Sequence, residues 1–100
     1  MSNIRMKAIY QQDPNIVNRD IAGEMILVPI RNNVSDMSSI YTLNKSAAMI
    51  WKQIDGHQSL ENILQILVNT FDISPVTLEQ DLIELINELL EINAVIEISE

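Results

Sequence analysis

The sequence predicts an α+β fold, a small three-stranded antiparallel sheet followed by a three-helix bundle. Three observations predict it. The chain has 100 residues, 47% of them apolar, enough for one small core. Residues 16–43 hold short β-type runs broken by turn residues. Residues 45–90 hold apolar positions at helical spacing, with a capping residue ahead of each run.

Residues 1–15 form a leading segment that closes on Asp13-Pro14. Ile4, Met6, Ala8 and Tyr10 alternate there, which fits either a strand or a frayed tail. The domain proper is expected over 16–98. The runs "IVNRDIA" and "EMILVPI" flank Ala22-Gly23, a two-residue hairpin loop with weaker turn chemistry than Asn-Gly. In the second run Met25 and Leu27 oppose Ile26, Val28 and Ile30, so both faces are apolar and the strand belongs between neighbours. Pro29 lacks a donor and belongs near the strand end. "RNNVSDMS" reads as a loop, and "SIYTL", 39–43, as the third strand.

Asn44 is placed to cap a helix over about 45–54, whose inner face is Ala47, Ile50, Trp51 and Ile54. Trp51 reads first as core, because an aromatic carries so much burial area. Asp55-Gly56 is expected to end this helix, with Gly56 left-handed. Ser59 caps a second helix whose inner face is Leu60, Ile63, Leu64, Leu67 and Phe71. Ser74-Pro75 opens a third, with Thr77 and Gln80 as a competing capping box. This helix runs to about Leu90, and "AVIEI" at 94–98 offers a last strand.

Charge is divided. Through Lys52 there are six cations against four acids, a net of +2; from Gln53 on there are ten acids and no Lys or Arg, a net of −10. There is no cysteine, no signal-like apolar run and no membrane-length apolar run. These features lead us to expect a cytoplasmic domain without disulfides. An enzyme is disfavoured. His57, expected in an exposed turn, is the one histidine, and no phosphate loop or nucleophile motif is present. Glu84, Glu88 and Glu91 are spaced for a solvated helix face. No cofactor and no metal are expected.

Strands followed by a helix–turn–helix pair form a winged-helix-like order, which raises DNA binding as a rival. The third helix would then be the recognition helix. It holds Glu79, Asp81, Glu84 and Glu88 without Lys or Arg, so phosphates would be repelled and no nucleic-acid partner is expected. Its apolar arc is wide. Leu82, Leu85 and Leu89 lie within about 40° of Leu78, while Ile86, Leu90 and Ile83 lie near 80°, 120° and 140°. The second flank fits either a bundle that buries both sides or a groove. The third strand has no Lys, Pro or Glu to guard its edge, so an extended peptide could add there.

At "LNKSAAMIWKQIDGHQSLENILQILVNTFDIS" the chain resembles the PqqD family, named for pyrroloquinoline quinone (PQQ) biosynthesis protein D. The resemblance is carried by Leu43-Asn44, Ala47-Ala48, Ile50-Trp51 and Asp55-Gly56, then Ser59, Ile63, Leu67 and Phe71. Arg19 with "GEMILVP" ahead and Asp81 to Leu89 behind extend it over about 15–98. It implies a winged-helix-like domain that binds the leader of a ribosomally made precursor peptide. The leader would lie as a strand between the third strand and the third helix and be presented to a modifying enzyme of the radical S-adenosylmethionine type. Carried onto this chain, the binding edge is Ser39, Ile40, Tyr41, Thr42 and Leu43, and the helix wall includes Ile83, Ile86 and Leu90. The expected function is therefore a non-enzymatic peptide chaperone of the RiPP (ribosomal peptide modification) type, with no membrane partner. The alternative is a degenerate winged-helix regulator or a homodimerisation module.

Overall fold

The structure, a computed structural model, describes residues 4–30 and 40–99. The expected loop 31–38 and Ser39 lie outside the described residues. In chain order the elements are β1 (Ile9–Gln12), β2 (Ile16–Ile21), β3 (Glu24–Pro29), β4 (Tyr41–Leu43), α1 (Lys45–Gln53), β5 (Asp55–Ser59), α2 (Leu60–Thr70), α3 (Pro75–Glu91) and β6 (Val95–Ser99). The predicted order of three strands and three helices is present as β2–β4 and α1–α3. A second three-stranded sheet, β5-β1-β6, joins the sheet β2-β3-β4.

Local chemistry explains the boundaries. The β2–β3 loop places Ala22 at φ 53° and Gly23 at φ 84°, the pair of left-handed residues of a type I′ turn. The Asn44 side chain accepts from the Ala47 N–H at 2.8 Å, capping α1. The Ser59 side chain accepts from the Asn62 N–H and caps α2. At α3 the start is Ser74-Pro75, with Pro75 as the first helical residue and no side-chain cap bond. Its far end is a Schellman closure: Ala94 N–H donates to the Leu89 carbonyl, Asn93 N–H donates to that of Leu90, and Asn93 sits at φ 60°.

Two expectations are corrected. Residues 4–15 are neither tail nor appendage: β1 is the central strand of the second sheet, and Ala8 and Tyr10 are buried. Of the alternating Ile4, Met6, Ala8 and Tyr10, only Tyr10 lies in that strand, and Met6 sits in a turn ahead of it. Gly56 does not end α1. That helix ends at Gln53 with Ile54 extended, and Gly56 lies in β5. Its φ of +84° is left-handed as expected, and a Cβ there would meet Ile98 Cδ1 at 3.3 Å and Gln11 Cβ at 3.4 Å. His57 is exposed as expected, but on a strand. The Asp55 carboxylate accepts from the N–H groups of His57 and Gln58, which folds extra residues of β5 into a bulge opposite β1. Those bonds hold the Asp55 carboxyl below its ordinary pKa.

Of the two readings of the α3 arc, the structure favours the bundle. The helix packs against α2, β6 and α1, so more than one stripe is covered. Leu78, Leu82, Leu85, Ile86 and Leu89 are all buried. Much of the excess apolar width is thus absorbed by the core. Trp51, 1% exposed, lies at the centre, and its main-chain carbonyl accepts from the Gln12 side-chain amide, tying α1 to β1.

Candidate functional site

The site is built from β4, α1 and α3. β3 runs through the middle of its sheet, with β2 on one side and β4 on the other. Among the described residues β4 pairs with β3 alone, so its second edge is open. The register decides which groups face that edge. Ile21↔Glu24 closes a two-residue hairpin, and Ile30 N–H donates to the Asn15 carbonyl at 2.8 Å. Both mark the hydrogen-bonded class of the β2–β3 ladder, which alternates along an antiparallel pair. Ile26 and Val28 therefore turn their backbone groups to β2, and Met25 and Leu27 turn theirs to β4. Since Met25 pairs Leu43 and Leu27 pairs Tyr41, those two residues of β4 bond inward. Thr42 is left with its N–H and C=O directed out of the sheet. Pro29 lacks the N–H that a further rung toward β4 would use.

Alongside this edge runs a groove of about 240 Å³ between β4, the start of α1 and α3. Its floor is apolar: Leu43, Ile50 and Leu85, all buried, with half-buried Ala47. Its α3 wall is Asp81, Glu84 and Glu88, all exposed. The Tyr41 hydroxyl donates to Glu88 Oε1, joining the first residue of β4 to α3. Burial, then the bond to Glu88 and its negative charge, push the Tyr41 hydroxyl up to about 12. Tyr41 is therefore a neutral donor throughout the physiological range.

The structure brings some expected site residues together and not others. Tyr41, Thr42 and Leu43 line the groove. Ile40 is exposed just before β4, and Ser39 lies outside the described residues. The helix wall is a correction: Ile83, Ile86 and Leu90 do not line the groove. Ile86 is 0% exposed in the core, and Leu90, at 36%, lies on the opposite flank of α3 from Glu84. The flank that meets β4 is the acidic one, which the spacing of Glu84 and Glu88 had marked as merely solvated. No periodicity separates these readings, because a helical wheel shows two flanks and not which neighbour each one meets. Lys45 and Lys52 point away from the groove, lining a separate cavity with Met25, Met49 and Phe71.

Among the described residues no cluster of three or more His, Cys, Asp or Glu could hold a metal ion. No helix among them is long and apolar enough to cross a membrane.

The profile of the family described as Coenzyme PQQ synthesis protein D (PqqD) matches residues 24–95, from the start of β3 to the start of β6. The chain belongs to the PqqD family. No curated protein matches it. Two solved structures share the winged-helix-like fold of this PqqD chain. One is TbiB1 in complex with the TbiA(beta) leader peptide, with a TM-score of 0.72 and 16% identity over 90% of this chain and 99% of that one. The other is lasso peptide synthetase B1 complexed with a leader peptide, with a TM-score of 0.72 and 22% identity over 87% and 96%.

Proposed function

We propose that this PqqD-family protein is a non-enzymatic recognition element that binds the leader of a precursor peptide and presents it to a modifying enzyme. The observation that carries the reading is the outward N–H and C=O of Thr42 on an open β4 edge, above an apolar-floored groove. An added strand would bond to Thr42 through its backbone and seat alternate side chains over Leu43, Ile50 and Leu85. That two structures of the same fold hold leader peptides supports the choice of ligand. The binding residues are then Tyr41, Thr42 and Leu43, continued by Ile40 and Ser39, and facing Leu85, Glu84 and Glu88. The partner that the PqqD resemblance implies is a modifying enzyme of the radical S-adenosylmethionine type, and the place of work proposed for the pair is the cytoplasm. The test is an amide NMR titration with leader peptides encoded near the gene. Shifts concentrated at 40–43 and 81–88 are expected; binding that leaves both segments unmoved refutes the site.

A second reading is favoured by a different surface. The outer face of β2 and β3 exposes Val17, Ile21 at 51% and Ile30 at 56%. This face is an apolar surface on which a homodimer or the modifying enzyme would dock. Sedimentation of wild type against Ile21→Lys separates the two uses. A dimer lost in the variant supports self-association, and a monomer throughout leaves the face to another protein.

A further inference from the structure

The leader-binding groove described above is electrically one-sided. Its α3 wall presents Asp81, Glu84 and Glu88, and among the described residues no Lys or Arg lines it. On the helix these three positions fall within an arc of about 60°. Glu84 and Glu88 are one turn apart, about 6 Å along the axis. In an extended chain, residues i and i+2 project to the same side about 6.6–6.8 Å apart. The two repeats match closely enough for two side chains of an added strand to meet successive carboxylates.

We propose that the peptide taken by this groove is cationic, with Lys or Arg at alternate positions that face α3. The inference rests on strand addition at β4 and adds the charge class of the ligand. Three features carry it beyond the presence of acids on a wet helix. The acids stand on the wall of a groove whose floor is the buried side chains of Leu43, Ile50 and Leu85. Charge pairs formed over such a floor face less water than pairs on an open surface. Glu88 is held toward β4 by the Tyr41 hydroxyl, so its charge is directed into the groove. The cations nearest in sequence, Lys45 and Lys52, line the cavity on the other side of α1 and do not offset the wall. An acidic strand would set like charges against this wall, while Lys and Arg stems would cover Leu85 with their heads at the carboxylates.

The experiment is a selection of displayed random decapeptides on the wild-type protein, repeated on Asp81→Asn with Glu84→Gln. This pair leaves the Glu88–Tyr41 contact intact. Enriched peptides are then located by amide shifts. Their affinity is measured by fluorescence anisotropy, with each Lys or Arg replaced by Gln in turn. Peptides that move the Thr42 amide and carry Lys or Arg at i and i+2 are expected. Replacing both cations should weaken binding about twofold to 30-fold, as two exposed charge pairs would. The double variant keeps Glu88, so it should lose the factor of one pair, up to about fivefold, for the cationic peptide and nothing for its Gln form. Raising the salt should erode the difference. Peptides that move Thr42 without such a bias, or with an acidic one, overturn the cationic assignment and leave strand addition standing. Binders that never move β4, or no binders at all, overturn both.

Discussion

Replacing Thr42 with proline tests the site at one atom. The register places the Thr42 N–H on the open side of β4, so the substitution removes no bond of the β3–β4 ladder. The cost to folding should be small, about 1 kcal/mol or less, because an edge position tolerates the ring and Tyr41 before it is already extended. Binding should suffer more. One inter-strand hydrogen bond is worth about 0.5–1.5 kcal/mol, and the ring also obstructs the incoming backbone. Peptide affinity should fall at least about tenfold. Tyr41→Pro is the internal contrast. Its N–H faces Leu27, so this change breaks a ladder rung and should cost about 1–3 kcal/mol of stability. Urea denaturation gives the stabilities, and anisotropy of a labelled leader peptide gives the affinities. A folded Thr42→Pro protein that binds its leader with wild-type affinity refutes strand addition at β4. A Thr42→Pro protein as destabilised as Tyr41→Pro refutes the assigned register.

Three further expectations follow from other parts of the molecule. Ile86→Ala should cost about 2–5 kcal/mol and Leu90→Ala under about 1, since one side chain is buried and the other lies at the surface; chemical denaturation decides. Glu88→Gln should bring the Tyr41 hydroxyl part of the way down from about 12, because burial, the largest cause, remains while the negative charge and the carboxylate acceptor are lost. The phenolate absorbance of Tyr41, isolated by comparison with Tyr41→Phe, reads this change, and an unmoved titration would contradict the contact. Ala22→Asn should raise stability by about 0.5–1 kcal/mol, because Ala22 occupies a left-handed position that Asn tolerates better. A lower urea midpoint would mean that the turn is held by something other than its own backbone preference.

Much of this fold is written locally. Asn44, Ser59 and Ser74-Pro75 mark the three helix starts because a cap acts within one turn of its own residue. Ala22-Gly23 marks the hairpin because only the two loop residues need positive φ. The inner faces of α1 and α2 follow from spacing. The family resemblance added the idea of a leader peptide, which no spacing contains.

What tertiary structure alone decided was which surfaces meet. β1 pairs with β5 and β6, joining Gln11 to Asp55 and Ile96, and no local pattern announces a pairing across such separations. That sheet drew Gly56 out of a helix cap and into a strand. The same packing covered Ile86 and turned Glu84 and Glu88, rather than Ile83 and Leu90, toward β4. A sequence specifies how wide the apolar stripe of a helix is. The rotation of that helix is set by every element it packs against, and here α1, α2 and β6 together set the α3 flank that lines the groove.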